Sequence, residues 1–424
     1  MDEYFLHFLW QYQKFAKLPL QTCTGENIAV LKTGFHNHNS GPDFLEAKIK
    51  ISNIEWAGSV EIHHKSSDWL LHKHQHDQTY ENVILHVVWI HDKEIVTPTS
   101  KTKIPTLVLS EFVDPNLELA YRAYINQPET ILCGKKLESV PDIKKTMMMD
   151  HAVTERLESK AVLIKQVYDQ TGRDWEETAY RVLGKNFGFS INKDPFEKLT
   201  AVLPFKIIKK HLDHPNQVFA LIFGAAGFLE DADDPYSQEL AQEYNFLNRK
   251  YQISSPLQRH HWKFSKLRPA NFPTVRLSQF ATIIIEQRGL FSLFIHAEEV
   301  EQLRSRLKIS PTGYWADHYD LAKKLETRKN HFGQTSVDNI LINTAAPLLS
   351  AYALSINETK YIERAMEILT SLKPEQNRIT REWTKNGINA ESAYHSQALI
   401  QQYNEYCIKK KCLHCNIGVS ILHR

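Results

Sequence analysis

A chain of 424 residues is too long for one ordinary hydrophobic core, so we expect two or three domains. Its 42% hydrophobic and 24% charged residues are typical of a folded soluble protein, and its formal net charge of +2 excludes nucleic-acid binding driven by overall charge. The first residues do not read as a signal peptide, and no continuous apolar run reaches the ~18 residues of a membrane span. Five cysteines, three of them close to the end, do not fit a secreted disulfide framework, so a cytoplasmic protein without a membrane partner is predicted.

The first 115 residues predict a domain that mixes helices and strands. Apolar residues at helical spacing begin the chain, alternating and continuous apolar runs follow, and the Ser52-Asn53 turn predicts a hairpin. The order is helix, three strands, helix and strand, expected at residues 3–17, 28–34, 44–51, 54–65, 68–76 and 82–91. Alternation in the second strand predicts that Leu45, Ala47, Ile49 and Ile51 share its buried face.

Histidines and acids are concentrated in this domain, where nine of the chain's 21 histidines lie between His36 and His91. Asp43 precedes the second strand, and Glu61, His63 and Lys65 alternate along one face of the third. If these strands form a hairpin, Asp43 and Glu61 converge at one edge. Two carboxylates with waters suit a hard divalent ion such as Mg²⁺. Such an ion lowers the pKa of bound water and stabilises charge at phosphorus.

The element order, Pro42-Asp43 and Glu61-Ile62-His63 resemble the PD-(D/E)XK nuclease superfamily. The resemblance implies a restriction-endonuclease-like α-β-β-β-α-β domain in which Asp43 and Glu61 bind Mg²⁺ or Mn²⁺. The superfamily has a lysine two positions after the acid, where this chain has His63. The resemblance therefore implies that His63, or Lys65 on the same face, activates the attacking water.

Purely structural roles for Asp43 and Glu61 stay open. Asp43 also suits a turn after Pro42, and Glu61 also suits an exposed strand position paired with Lys48 or Lys50.

The histidines between residues 72 and 86 form a second candidate site. On the predicted helix over 68–76, His72 and His76 share a face at i, i+4, whereas His74 points away. With His63 and Asp77, these two residues suit zinc or iron. His86, inside an apolar strand, is expected to be a hydrogen-bonded core histidine.

Helical periodicity dominates from residue 116 to about 400 and predicts a larger, irregular all-α domain. Between Tyr251 and Ile285 this region has no Asp or Glu, and arginines, lysines and aromatic residues alternate there. Such residues suit phosphates and unpaired bases, and DNA is favoured over RNA as the partner. The predicted nucleic-acid contacts are Lys266, Arg268, Asn271 and Arg276. The alternative is that the arginines pair with acids elsewhere and the aromatic residues belong to the core.

A cysteine-rich tail at 401–424 follows. Cys407, Cys412 and Cys415 have the spacing C-x4-C-x2-C, which suits a structural metal, zinc by default and an iron–sulfur cluster as the alternative. The fourth ligand is left open among His423, His414, Cys133 and Cys23.

Over its full length the chain also resembles an uncharacterised bacterial family of unknown function, common in the Bacteroidetes. The segments that carry this resemblance are GPDF at 41–44, VEIHHKSSDW at 60–69, RPANFP at 268–273 and CLHCNIG at 412–418. It implies no activity.

The sequence favours an α+β protein that is a metal-dependent nucleic-acid phosphodiesterase. Its nuclease-like domain at 1–115 would hold the metal, and its helical domain at 116–400 would contact the nucleic acid. One alternative is a nucleic-acid-binding protein that keeps a degenerate nuclease fold without cleavage. A further alternative is a histidine-based metal hydrolase of a small substrate.

Overall fold

A computed structural model describes residues 3–15, 19–37, 40–231, 233–253, 257–325 and 330–422. It has the predicted mixed α+β character, with a sheet-rich N-terminal region followed by a larger helical region. The chain forms two compact units: unit 1 contains Met1–Lys144 and Glu405–Arg424, and unit 2 contains Lys145–Asn404. The predicted boundaries at 115 and 400 differ from these, because residues 116–144 and the cysteine-rich tail belong with the sheet.

The helices of the described residues share no single repeat length. In chain order they are α1 Glu3–Gln11, α2 Asp68–Leu71, α3 Pro115–Ile125, α4 Asp142–Gln170, α5 Trp175–Phe187, α6 Lys193–Val202, α7 Phe205–Ile208, α8 Pro215–Ala225, α9 Pro235–Tyr251, α10 Pro273–Gln287, α11 Leu290–His296, α12 Val300–Leu307, α13 Gln334–Ile340, α14 Ala346–Ile356, α15 Lys360–Ser371, α16 Arg378–Lys385, α17 Ala393–Gln401 and α18 Asn416–Leu422.

Unit 1 is built on a seven-stranded mixed sheet. Its strands are β1 Leu20–Gln21, β2 Asn27–Lys32, β3 Phe35–His36, β4 Phe44–Ile51, β5 Ile54–Lys65, β6 Val83–Ile90 and β7 Thr106–Val108. The order is β1-β2-β4-β5-β6-β7, with β3 beside β4. Pairs up to β4–β5 are antiparallel, and β6 is parallel to both β5 and β7. The predicted hairpin at Ser52-Asn53 is confirmed, since Ile51 pairs with Ile54.

An irregularity at the start of β4 changes which residues of that strand are buried. Glu46 has a φ of 55°, and the register with β5 shifts between Phe44 and Ala47. The strand therefore buries Phe44 and exposes Leu45, which reverses the predicted alternation at this end, while Ala47 onward follows it. Because Asp43 directly precedes Phe44, this irregularity also affects how Asp43 is presented to β5.

Helix α1 packs its apolar side against the sheet. Phe5, Leu6 and Leu9 are buried in the same core as Phe44 and Ile62. Half-buried Leu413, Val419 and Leu422 of the C-terminal segment pack against that core as well. The end of the chain is therefore part of unit 1.

The helix predicted over 68–76 is shorter in the structure, so the predicted length is wrong. Helix α2 ends at Leu71, Lys73 has a φ of 64°, and a separate 3₁₀ turn follows at His74–His76. Trp69 is the buried residue of α2, and residues 72–76 contain no apolar side chain that could hold a longer helix against the sheet.

Unit 2 is helical around one large core, with a small antiparallel pair of strands, β8 His318–Asp320 and β9 Lys323–Lys324. A π-helical stretch at Leu341–Ala345 joins α13 to α14. The resulting helix, Gln334–Ile356, is long and apolar enough to cross a membrane, with a mean hydropathy of 1.3, but 67% of its apolar window is buried within the protein. It has the character of a core helix, which is consistent with a soluble protein.

Candidate metal centre

Asp43 and Glu61 are held together by reciprocal hydrogen bonds between the start of β4 and the middle of β5. The Asp43 backbone N–H donates to Glu61 Oε2 over 3.0 Å, and the Ile62 backbone N–H donates to Asp43 Oδ2 over 2.9 Å. Glu61 is only 4% exposed, so the alternative of an exposed residue paired with a lysine is wrong. The predicted convergence of the two carboxyl groups is present.

Two histidines lie against the Glu61 carboxyl group, and a third lies beside one of them. His63 Nε2 and His74 Nε2 lie 3.5 and 3.2 Å from Glu61 Oε1. His63 Nε2 is also 3.1 Å from His72 Nδ1. One ring nitrogen from each of His63, His72 and His74 lies within 4.8 Å of the other two, a spacing that suits ligands of one metal ion.

Buried aromatic and histidine side chains orient these rings. His63 Nδ1 is 2.8 Å from Nε2 of His86, which is fully buried in β6 as the predicted core histidine. The His74 ring stacks on Tyr80 at a centroid distance of 3.9 Å, and Trp69 packs edge-on against His63. The contact with His86 leaves His63 Nε2 directed at the cluster, an arrangement common for metal-binding histidines.

Helix α1 contributes two polar residues that were not predicted. His7 Nε2 lies 3.3 Å from Asp43 Oδ2. Glu3, one turn earlier, has its pKa raised by burial and by the nearby Asp43. Glu3 and His7 share a helix face at i, i+4, which was the only sequence signal for them.

Some ring nitrogens in this cluster are buried without a hydrogen bond. Among the described residues, His7 Nε2 and His74 Nε2 have no hydrogen-bond partner, although each faces a carboxyl oxygen. A buried polar atom without a partner is costly, and a metal ion would satisfy these nitrogens and the carboxylates together. The residues therefore fit a bound metal.

Without a bound cation, the surroundings of Glu61, His63 and His74 favour the uncharged forms of these side chains. Burial and the neighbouring Asp43 raise the pKa of Glu61 to about 9. Burial, followed by the neighbouring His86, lowers the pKa of His63 to about 2, and burial lowers that of His74 to about 4. His63 and His74 are therefore neutral at physiological pH, which is the form that binds metals.

Three of the predicted site residues lie apart from this cluster. Lys65 is exposed, and its backbone N–H donates to Asp68 Oδ2. Asp77 caps the 3₁₀ helix Gln78–Asn82 by accepting from the Thr79 N–H and hydroxyl. His76 is exposed. The i, i+4 geometry predicted for His72 and His76 is absent, because α2 ends before His72, and the structure instead brings His63, His72 and His74 together.

The predicted nucleic-acid contacts divide into two pairs in unit 2. Lys266 and Arg268 are exposed. Asn271 and Arg276 line a cavity of about 440 Å³ together with Phe189, other residues of the connection between α5 and α6, and residues of α13. Trp262 belongs to the core, as the alternative interpretation held for the aromatic residues.

The tail cysteines lie in unit 1. Cys412 begins a 3₁₀ turn that ends at His414, and Cys415 is buried just before α18. Of the open choices for a fourth ligand, Cys23 is exposed, Cys133 is buried, and His414 packs its ring on Tyr4 at 4.7 Å. His423 lies outside the described residues.

The fold and this cluster define an α+β protein with a carboxylate–histidine site that could hold a metal ion. The chain belongs to DUF2851, a family of proteins of unknown function, whose family model matches residues 3–378. This confirms the resemblance to an uncharacterised family. No curated protein and no solved structure matches the chain.

His74→Asn should weaken Mn²⁺ binding by about tenfold or more, because it removes a ring nitrogen that faces Glu61. His76→Asn, two residues away on the exposed side of the same turn, is the matched control and should leave the affinity unchanged. Calorimetric titration of metal-stripped protein measures both, and Mn²⁺ is chosen because thiolates bind it poorly. Equal losses in the two variants would contradict the assignment of His74.

Glu61→Gln should stabilise the metal-free protein increasingly as the pH rises from 5 to 9. The pKa of Glu61 is raised in the folded state, so its contribution to stability is complete below its unfolded pKa of about 4.5 and is lost as the pH rises towards 9. The neutral amide of the variant removes this loss, which is at most about 1.4 kcal/mol per pH unit. Thermal unfolding in EDTA measures it, with Glu55→Gln at an exposed position of β5 as the control. A pH-independent difference between variant and wild type would contradict the buried carboxyl.

Proposed function

We propose that the protein is a cytoplasmic, metal-dependent phosphodiesterase that acts on nucleic acid. The observation that carries this proposal is the meeting of Asp43 and Glu61 with three histidines at the junction of β4 and β5. Both the acid pair and the histidine cluster expected from the sequence therefore contribute to one site.

The order and direction of the strands support a nuclease-like fold. β2, β4 and β5 are antiparallel, β6 is added parallel to β5, α1 precedes them and α2 lies between β5 and β6. If the two-residue strands β1 and β3 are left aside, this order resembles the α-β-β-β-α-β order implied by the PD-(D/E)XK resemblance, with Asp43 directly before β4 and Glu61 on the neighbouring β5. Glu3 on α1 adds a third acid to the same site.

The ligand set favours a transition metal over Mg²⁺. Carboxylates alone would suit Mg²⁺, but imidazoles beside them suit Mn²⁺, iron or zinc. When bound, such an ion supplies a water of lowered pKa and neutralises charge on the phosphate. Asp43, Glu61, His63, His72 and His74 would hold it.

His63 fits the role of a ligand better than that of a general base. Its Nδ1 contacts His86 and its Nε2 faces the cluster, so neither nitrogen points to an open position where it could accept a proton from water. His7, which contacts only Asp43 within the site, is the better candidate to position water.

Two other functions are each favoured by one observation. In the superfamily a lysine assists the attacking water. Here Lys65 is exposed and His63 has the geometry of a ligand, so neither residue replaces that lysine. This favours a nucleic-acid-binding protein without cleavage. The three histidines within 4.8 Å favour a metal hydrolase of a small substrate.

Intact protein supplied with Mn²⁺ should cleave single-stranded or plasmid DNA. Asp43→Asn and Glu61→Gln should each lower the rate by about 100-fold or more, since each removes a charged ligand of the metal. Glu55→Gln, on the same strand but exposed, should cleave like the wild type. Circular dichroism establishes that the variants are folded.

The other outcomes of this experiment separate the alternatives. Binding of DNA that weakens with salt, without cleavage in Mn²⁺, Mg²⁺, Zn²⁺ or Fe²⁺, would support the binding protein. Hydrolysis of bis-p-nitrophenyl phosphate with no action on DNA would support the small-substrate hydrolase. Cleavage that survives both substitutions would exclude this site as its source.

The Arg276 cavity of unit 2 is the proposed point of contact with the nucleic acid. Arg276 donates to Gln279, Asn271 and Ser336, stacks on Phe189 at 4.4 Å, and forms no ion pair with a carboxylate among the described residues. Burial lowers its pKa to about 10, yet it stays charged at neutral pH. A buried guanidinium held by neutral groups beside an open cavity suits one phosphate.

Arg276→Gln should weaken binding of a fluorescein-labelled single-stranded oligonucleotide by roughly tenfold. It should also lower the slope of log affinity against log salt concentration by about one, the value expected for the loss of one phosphate contact. Arg249→Gln, at an exposed position of α9, is the control. Fluorescence anisotropy measures the binding of both variants in EDTA, which removes the metal and so prevents cleavage. Unchanged affinity and salt dependence in Arg276→Gln would remove the cavity from the nucleic-acid surface.

A further inference from the structure

The cavity beside Arg276 is larger than one phosphate group needs. Its volume of about 440 Å³ lies within the range of about 300–1,000 Å³ that is common for pockets that hold small organic ligands. It is bounded by the connection between α5 and α6, by the start of α10 and by α13. A ligand that fills this cavity therefore carries more than an anionic group.

A tight loop at residues 188–192 forms one wall of the cavity. The Asn192 N–H donates to the Gly188 carbonyl oxygen over 2.9 Å, and a Cβ on Gly188 would lie 2.2 Å from the Asn192 carbonyl oxygen. The Asn192 side chain also donates to the Lys263 carbonyl over 3.0 Å and accepts from the Lys263 N–H over 2.8 Å. These bonds fix the loop, so the wall keeps its shape without a ligand.

Phe189 has a strained backbone in this loop. Its φ of 48° is left-handed, a conformation that bulky side chains rarely adopt. The centre of its ring lies 4.4 Å from the Arg276 guanidinium. Strained residues persist where the surrounding structure holds them, and they are concentrated at ligand sites. The strain here places an aromatic ring at the cavity beside its cation.

Arg276 keeps donors for a ligand. Its hydrogen bonds to Gln279, Asn271 and Ser336 use three of the five N–H groups of a guanidinium. The Nε–H and one Nη1–H make no hydrogen bond with the described residues. The described residues that line the cavity include no Asp or Glu. A guanidinium with unused donors and no competing carboxylate suits a phosphate.

The rest of the lining suits a flat, mostly apolar group with polar edges. Buried Phe187 and Phe196 and half-buried Leu267 line the cavity with the carboxamides of Asn271 and Asn339. Among the described residues, Asn271 Nδ2 donates no hydrogen bond and Asn339 Oδ1 accepts none, so both amides can bond a ligand. Aromatic and apolar walls with hydrogen-bonding edges are typical of sites for an unstacked base, and asparagine pairs well with adenine.

We propose that this cavity binds one nucleotide, with the phosphate on Arg276 and the base between Phe189 and the apolar wall. The choice of a nucleotide rests on the proposed nucleic-acid function, but binding needs neither the metal nor cleavage. A free mononucleotide and the terminal nucleotide of a strand offer the same chemistry.

Calorimetric titration of the intact protein in EDTA tests the proposal with dAMP, deoxyadenosine and inorganic phosphate. One equivalent of dAMP should bind at least about tenfold more tightly than either fragment, because phosphate and base are held together. The Asp43→Asn/Glu61→Gln double variant should bind dAMP like the wild type, so failure of the phosphodiesterase function and failure of nucleotide binding are distinguishable. Binding of dAMP no tighter than that of phosphate would overturn the proposal.

Two variants separate the contacts to phosphate and base. Arg276→Lys keeps the charge but loses the planar fork, and should weaken dAMP binding by about fivefold or more. Phe189→Gly should weaken it by a similar factor through loss of the ring, and its fold should be kept because glycine adopts this φ without strain. Arg249→Gln, exposed on α9, is the control. Wild-type affinity for dAMP in either folded cavity variant would contradict the assigned contacts.

Oligonucleotides distinguish the two sources of the nucleotide. Hexadeoxyadenylate with a 5′-phosphate should compete with dAMP, and a 5′-hydroxyl strand should compete less well, if the site takes a strand end. Binding of dAMP that neither strand displaces would assign the cavity to a free nucleotide. Both results support a nucleotide site and differ only in its source.

Discussion

The pair of hydrogen bonds between Asp43 and the Glu61–Ile62 peptide is the constraint on which the site depends. Each carboxyl group accepts a backbone N–H from the other's strand, so the two acids cannot separate without breaking the β4–β5 edge. Placing the buried Glu61 carboxyl group beside the half-buried Asp43 is costly, and both burial and Asp43 raise the pKa of Glu61. Local cost of this kind is typical of functional sites and is supported by the surrounding core.

Burial of His63 has the same origin. His63 lies on the same face of β5 as Glu61, between the sheet and the turn that follows α2, and its ring is fixed by His86 from β6. Because burial lowers the pKa values of His63 and His74, both rings are neutral at neutral pH and supply no positive charge to the carboxyl groups beside them. A divalent cation supplies that charge and the missing contacts at once.

Local patterns in the sequence predicted the β4–β5 hairpin and hence the meeting of Asp43 with Glu61, because a two-residue turn determines the register of neighbouring strands. They could not predict His74, because the end of α2 depends on a left-handed residue, Lys73, and on the lack of tertiary packing for residues 72–76. Glu3 depends on how α1 docks on the sheet, which is a long-range property that periodicity does not contain.

The same limit applies to the burial of β4 and to the cysteines. Alternation predicted Leu45 in the core, but the positive φ of Glu46 exposes it, and nothing in a glutamate signals that conformation. The spacing of the tail cysteines left their fourth ligand open, because the candidates Cys23 and Cys133 lie far from them in the chain. Local sequence patterns contain neither the conformation of Glu46 nor such distant partners.

The placement of residues 405–424 in unit 1 affects the order in which the protein matures on the ribosome. The sheet and all the residues of the carboxylate–histidine cluster are synthesised first, yet Leu413, Val419 and the ring of His414, which pack against the core and against Tyr4 of α1, are synthesised last. The nascent chain therefore carries an incompletely covered α1 while all of unit 2 is translated. Glu3 and His7 lie on that helix, so the segment that packs against it is synthesised after both of them and after all of unit 2.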